Sequence, residues 1–362
     1  MDTTDNKTTI RIRIPGRGVQ RPSPNPLVIP IFIPHWGCPH RCRFCNQTAI
    51  TGNSRQGTEK ISVKERVHRF LSHSAPDRSP VEIAFFGGNF LGLSRQDVES
   101  FLQEAATMVV SGAADHIRFS TRPDTVTEKT LEWIRPFPVS TIEIGVQSMV
   151  DRILRLAGRG HHAKDTRVAL GLIRKYNYQA GVQLMVGLPG ESESDIRDTG
   201  TQVVALEPDF VRIYPTVVLN GSPLAMSYET GEYHPLSLSE AVTRTKVLFL
   251  MLQSAGIPVI RMGLHVSSEP ELSSDVLAGP LHPAFGHLVL SEVLLDHVSR
   301  ELEQHPVTGA RLVLTTHPSS LSRLQGQNRT NLSSLKQKFL LKTVDAMADA
   351  NLAEDEVYIE IS

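Results

Sequence analysis

The chain has 362 residues, of which 40% are hydrophobic and 21% charged, proportions of a globular protein rather than a disordered one. Its 37 Lys and Arg against 38 Asp and Glu give a formal net charge of -1, which argues against a protein that coats nucleic acid while leaving room for a local basic face. The longest apolar run, Leu27 to Pro34, is far short of a ~20-residue bilayer span, and the opening MDTTDNKTT lacks the apolar core of a secretory signal, so a cytoplasmic protein with no membrane segment is expected.

Residues 1–26 read as a flexible arm, because their Thr, Asn, Pro and Gly follow no hydrophobic period. Arg11, Arg13, Arg17 and Arg21 make that arm locally basic, suited to solvent or to a polyanion. From Leu27 onward, short β-branched runs alternate with segments of i, i+3, i+4 apolar spacing. The expected strands are Leu27–Ile33, Val81–Phe86, His116–Ser120, Thr141–Val146, Gly181–Val186, Phe210–Tyr214 and Pro258–Met262. The expected helices are Ser62–Ser72, Arg95–Val110, Thr127–Ile134, Lys164–Tyr176, Ser192–Ala205 and Ser239–Ala255. Ser62 with Glu65 three residues on, and Ser192 before a Glu-Ser-Asp turn, are natural N-caps. Such repetition builds a parallel sheet with helices outside. Six or seven units over residues 27–265 predict an α/β fold, a partial or complete parallel (β/α) barrel.

The pattern changes at the polar HVSSEPELSSD. Residues 266–362 read as a small C-terminal α/β extension. It should hold a helix over Pro283–Gln304, a strand at Arg311–Thr316, a helix over Leu332–Met347 and a last strand at Glu356–Ile361.

The chain has only three cysteines, all within GCPHRCRFC. A disulfide framework is excluded by that number. Cys38, Cys42 and Cys45 are spaced C-x3-C-x2-C, and three thiolates on one tight loop suit soft iron better than a hard cation. A [4Fe-4S] cube held by three cysteines leaves one iron open to a further ligand. A structural zinc would need a fourth ligand, which His35 or His40 could supply. The loop follows the first barrel strand, so it lies at the carboxyl end, the functional face of such sheets.

C-x3-C-x2-C with Phe44 before the last cysteine resembles the signature of radical S-adenosylmethionine enzymes. In that family the open iron binds S-adenosyl-L-methionine, and an electron from the cluster cleaves it to a 5'-deoxyadenosyl radical. The resemblance therefore implies two cofactors, the cluster and S-adenosylmethionine, and an electron donor such as ferredoxin or flavodoxin. Further motifs follow in order: FFGGN (85–89), FSTRPDTV (119–126), IEIGVQSM (142–149), GRGHHAKD (158–165), MVGLPGES (185–192) and RIYPTVVLNGSPL (212–224). Together they resemble, over about residues 28–265, the radical domain of the Elongator catalytic subunit, without its acetyltransferase domain. That enzyme modifies the wobble uridine of tRNA.

The resemblance also nominates residues for the cofactor. Gly87 and Gly88 would approach the methionyl group by backbone, with Asn89 where the family often has an acid. Glu143, an acid in an apolar strand, needs a partner, either Arg122 or the cofactor's amine or ribose. Gln147 would reach ribose or substrate, Arg159 and His161 a carboxylate or phosphate, and Leu188 would shape the adenine pocket. His282, His287, Gln327, Asn328 and Arg329 would either line a substrate site or cap helices. The substrate implied is tRNA or another nucleoside. One alternative is a small molecule such as a tetrapyrrole; another is a non-catalytic iron-sulfur or zinc protein.

Overall fold

The computed structural model describes residues 8–13, 26–33, 37–46, 62–73, 80–264 and 275–362. The chain opens with β1 (Thr8–Arg13), β2 (Leu27–Ile33), α1 (Val63–Leu71), β3 (Val81–Gly87), α2 (Arg95–Val110), β4 (His116–Thr121), α3 (Glu128–Ile134) and β5 (Val139–Gln147). It continues with α4 (Asp151–Leu156), α5 (Ala163–Lys175), β6 (Gln179–Val186), α6 (Glu193–Leu206), β7 (Phe210–Pro215), β8 (Val218–Leu219), α7 (Pro223–Glu229), α8 (Leu238–Ser254) and β9 (Val259–Met262). The remainder is β10 (Val276–Ala278), α9 (Phe285–Leu302), β11 (Arg311–Thr316), α10 (Pro318–Gln325), α11 (Thr330–Lys338), β12 (Thr343–Ala348) and β13 (Glu356–Ile361).

Seven strands form one parallel sheet in the order β2-β3-β4-β5-β6-β7-β9. The sheet curls into a partial barrel with β2 and β9 at its edges. Pro30 sits in β2 and removes a ladder donor, which an edge strand tolerates. Alternation along the strands sorts residues between the two faces. In β5, Ile142, Ile144 and Val146 join the core beneath the helices, while Thr141, Glu143, Gly145 and Gln147 take the concave face. The helices begin where the sequence suggests. Ser62 Oγ accepts from the Glu65 amide at 3.2 Å, and Ser192 and Asp195 form a reciprocal capping box.

A second sheet, ordered β1-β13-β11-β12, carries the C-terminal extension. One continuous hydrophobic core runs from Ile29 in the barrel to Ile361 in this sheet. Two expectations are corrected here. Residues 8–13, expected in a loose arm, form β1, paired antiparallel with β13 from Thr8 opposite Ile361 to Arg13 opposite Glu356. The alternation of Ile10 and Ile12 with arginines is a strand pattern too short to stand out without its partner. Arg17 and Arg21 lie outside the described residues. The helix expected over Leu332–Met347 stops at Lys338, after which Leu340 turns into the left-handed region at φ 51° and Thr343–Ala348 extends into β12, parallel to β11.

Glu356, 4% exposed, receives Arg11 at 2.5 Å and Arg13 at 3.1 Å. Its carboxyl is held below the usual range, chiefly by the Arg11 hydrogen bond. Removing residues 1–13 should uncover the β13 edge. Every second amide between 356 and 361 then loses its strand partner, and hydrogen exchange there should accelerate while the barrel strands keep their protection. Unchanged exchange in β13 would show that β1 contributes nothing to this sheet.

Candidate cluster and cofactor site

The loop carrying the three cysteines, residues 37–46, leaves the carboxyl end of β2 and is fastened at three places. At its start, the Gly37 carbonyl accepts from Asn89 Nδ2 at 2.7 Å. Gly37 has φ 86°, and a Cβ there would come within 2.4 Å of the Asn89 carbonyl, so only glycine fits this approach. In its middle, the Arg43 amide donates to the Ala157 carbonyl at 3.0 Å, just after α4. The Arg43 carbonyl accepts from the Leu224 amide of α7 at 2.8 Å. At its end, Asn46 Nδ2 donates to the Asn220 carbonyl at 2.5 Å. Phe44 inserts between two small apolar clusters, Ile153, Ala157 and Leu188 on one side and Val218, Leu224, Ala225 and Tyr233 on the other. The ends of β3, β5 and β7 thus hold the loop across the mouth of the barrel.

Asn89 is the tie among these strands. Besides Gly37, its Oδ1 accepts from Thr121 Oγ1 at 2.7 Å, Thr125 Oγ1 at 2.9 Å and the Arg122 amide at 3.0 Å. Asn89 was nominated for the cofactor, but its side chain is fully committed to protein groups. Gly87 has φ 104°, and a Cβ there would lie 2.5 Å from the Ile33 carbonyl; that same carbonyl accepts from the Gly88 amide at 3.2 Å. The two glycines therefore let β3 close on the last residue of β2, immediately before the cysteine loop.

Arg159 stands behind the cysteines. Its Nη1 lies 3.3 Å from Cys42 Sγ and its Nη2 donates to the Gly145 carbonyl. Its own carbonyl receives Arg122 Nη2 at 2.5 Å. Gln147 ends β5 at φ 68°, 8% exposed. A non-glycine residue held in the left-handed region marks a backbone whose surroundings force it, and it aims the Gln147 side chain beside Gly145 and Arg159. Leu188, 2% exposed, packs against Phe44. Several buried polar atoms in this region lack a well-formed hydrogen bond: Arg122 Nη1, Arg159 Nε and both ring nitrogens of His161. Burial, then the charges of Arg159 and Arg122, push the His161 imidazole down to about 3, so it is neutral at physiological pH.

Glu143 departs from its expected role. It is 0% exposed and does not meet Arg122, which pairs with Asp124 at 2.9 Å. Instead its Oε1 receives Arg118 Nη2 at 2.6 Å and its Oε2 lies 2.8 Å from Arg212 Nε, with Gln183 Nε2 at 3.2 Å. Arg118 also reaches Glu82 at 2.6 Å. Both carboxylate oxygens are taken, so Glu143 is a hub of the barrel wall with nothing left for a cofactor. The sequence hint was present: charged residues at alternate positions of neighbouring strands must pair across one face. In the tail, His282 Nδ1 accepts from the Ala284 amide at 3.1 Å and residues 327–329 form a 3-10 turn, which are capping and turn roles.

Glu191 follows Leu188 and closes the same turn, accepting from the Gly187 amide at 2.5 Å. Burial raises its carboxyl to about 8, against the Gly187 and Leu188 amides that favour the charge. The folded protein therefore keeps this proton where the unfolded chain, with an ordinary glutamate near 4.5, has lost it. The stabilisation is complete below the unfolded value and is lost as pH rises through about 8. Glu191→Gln keeps an acceptor and removes the titration. Its melting temperature relative to the wild type should rise between pH 5 and pH 8.5; a constant difference across that range would show that Glu191 is ionised in the fold.

Thiolate donors, a loop fixed by main-chain bonds and orphaned buried donors nearby fit an iron-sulfur cluster with a polar cofactor beside it. Among the described residues no three Cys, His or acidic side chains converge on a single ion; a cube spreads its three thiolates over three irons and needs no such convergence. No helix among the described residues is long and apolar enough to cross a membrane.

Comparison with known proteins agrees with this geometry. The model of the radical SAM superfamily matches residues 33–203, and that of the radical SAM C-terminal domain matches residues 208–294. The chain belongs to the radical SAM superfamily and is an enzyme of that class. It is 26% identical over 235 residues to the tRNA uridine(34) acetyltransferase of Dehalococcoides mccartyi, covering 55% of this chain and 50% of that protein. It is 25% identical over 221 residues to protein YhcC of Escherichia coli, covering 57% of this chain and 68% of that protein. Its fold resembles that of Elp3 from Methanocaldococcus infernus, with a TM-score of 0.58, 18% identity, and 77% of this chain and 63% of that chain covered. The match thus spans about half the length of the acetyltransferase relative.

Proposed function

We propose that Cys38, Cys42 and Cys45 hold a [4Fe-4S] cluster, that S-adenosylmethionine binds over the barrel mouth beside it, and that the substrate is a nucleoside within tRNA. The observation that carries the cofactor assignment is the three-cysteine loop fastened across the carboxyl ends of β3, β5 and β7. The cluster, once reduced, supplies the electron that cleaves S-adenosylmethionine. The chain's own residues position and shield that chemistry. Gly87 and Gly88 give the cofactor a wall without side chains, Gln147 faces it from its strained strand end, and Leu188 with Phe44 keeps the loop in place. Arg159 donates toward Cys42 Sγ, which favours added negative charge on the sulfur and so eases reduction.

The tRNA assignment is supported by the likeness to tRNA uridine(34) acetyltransferases. It no longer draws on a free basic arm, because Arg11 and Arg13 are paired with Glu356. Anaerobic reconstitution should give iron and sulfide near four each, and dithionite should then drive formation of 5'-deoxyadenosine. Bulk tRNA should shift the protein in gels at low salt and less at higher salt, as phosphate contacts require. No shift at low salt would defeat the tRNA assignment and favour a small-molecule substrate.

A further inference from the structure

Eight large apolar side chains stand exposed among the described residues: Val110, Leu156, Val168, Met226, Tyr228, Leu277, Leu340 and Met347. Three of them, Leu156 at 39%, Met226 at 69% and Tyr228 at 38%, belong to α4 and α7, the two short helices that clamp the cysteine loop. The inner faces of both helices are spent on that clamp, through Ile153, Ala157, Leu224 and Ala225 around Phe44. Arg43 adds a bond from its guanidinium to Ser227 Oγ at 2.6 Å. Their outer faces are therefore brought beside the exposed part of the loop itself, Pro39, His40 and Arg41. Cys38 and Cys45 are both partly exposed.

The charge around this apolar group is mainly positive. Arg41 and Arg155 are exposed, and neither makes a salt bridge among the described residues. Arg152 is engaged by Asp195 at 2.7 Å. Asp151 is partly used by the Ala163 amide at 2.8 Å, and Glu229 lies at the far end of α7.

We infer that the outer faces of α4 and α7, with Arg41, form the docking surface for a small acidic one-electron carrier protein. The inference rests on the cluster assignment proposed above. An electron bound for the cluster must cross from a partner, and its transfer rate falls steeply with distance. The carrier must therefore sit where the cysteine loop reaches the surface, and this is that place. Redox encounter interfaces are small, and they commonly pair an apolar centre with a charged rim that steers approach. Leu156, Met226 and Tyr228 supply the centre, and Arg41 and Arg155 supply a rim that an acidic partner complements. RNA would use the arginines but has little use for Met226 and Leu156.

The test uses the full chain with its cluster reconstituted and a purified flavodoxin as the probe. Arg155→Glu and Met226→Asp change only exposed positions. Each should weaken flavodoxin binding by roughly tenfold in calorimetry, the scale of a lost rim charge or central anchor, and should slow cluster reduction by the hydroquinone flavodoxin in stopped flow. Iron content and reduction by dithionite, which needs no docking, should stay at wild-type values. Binding to flavodoxin that neither substitution alters overturns the docking surface, as does a loss of affinity for bulk tRNA in place of flavodoxin. A protein that takes up no iron overturns the cluster assignment and this inference with it.

Discussion

Alanine in place of Cys38, Cys42 or Cys45 is expected to leave protein that takes up no stable [4Fe-4S] cluster and makes no 5'-deoxyadenosine. The loss should be complete at each position, since the chain has three cysteines and three is the number such a cube needs when its fourth iron is left for a cofactor. His40 is exposed in the same loop, but one imidazole does not restore the thiolate field of a cube. The fold should survive these changes. The loop is held by Phe44, by the Arg43 main chain and by Asn89, none of which depends on a sulfur. Far-ultraviolet circular dichroism of the apoprotein should therefore match the wild type, while iron and sulfide analysis and electron paramagnetic resonance read the loss. A single variant that retains four irons and full cleavage would defeat the assignment, and one tightly bound zinc per chain would replace it with a structural site.

The barrel was legible because its strands are buried on both faces and read as short β-branched runs. All seven expected strands fall within two residues of the observed ones, as with Val81–Phe86 against Val81–Gly87 and Gly181–Val186 against Gln179–Val186. The cysteine loop was legible from spacing alone. The elements that secure it were not. α4 and α7 have six and seven residues, too few for a helical period, and β8 has two. β1 needs a partner more than 340 positions away, with Arg11 opposite Tyr358. β12 was hidden because helical spacing ran on through Leu335, Phe339 and Leu341, and only the left-handed Leu340 breaks it.

The same difference separates the two roles considered for Glu143. A strand pattern reveals that an acid is buried, but the choice between ligand and ion pair depends on which neighbours the sheet register supplies. Here β4 brings Ser120 opposite Glu143 and β6 brings Gly181. Both are small. A Cβ on Gly181 would stand 2.9 Å from Glu143 Cγ, so this glycine makes room for the carboxylate. Arg118 and Arg212 then reach it from either side, each also stacked on an aromatic ring, Phe210 at 5.3 Å and Phe86 at 5.5 Å.

Breaking that hub should be the most destabilising single change in the barrel. Glu143→Ala would leave Arg118 with Glu82 alone and Arg212 without its carboxylate, both below 9% exposure. Removing one member of a buried ion pair costs about 3–5 kcal/mol, because the remaining charge stays desolvated. Urea unfolding should show a loss of that size, and a change under about 1 kcal/mol would show that water reaches the arginines. The charges also set a pH dependence. Burial alone would raise the Glu143 carboxyl, but Arg212 and Arg118 outweigh it and hold the group below its usual value. Its stabilisation is therefore present above the ordinary glutamate range and is lost as pH falls through the folded value. The wild type should lose this contribution in acid, and Glu143→Ala should lack it at every pH, so their melting curves should converge as pH drops. Replacing Glu143, Arg118 and Arg212 together by Leu, Met and Met tests the energetics further. A well-packed apolar set of similar volume can equal or exceed a buried ion network, so the triple variant should recover much of what the single one loses.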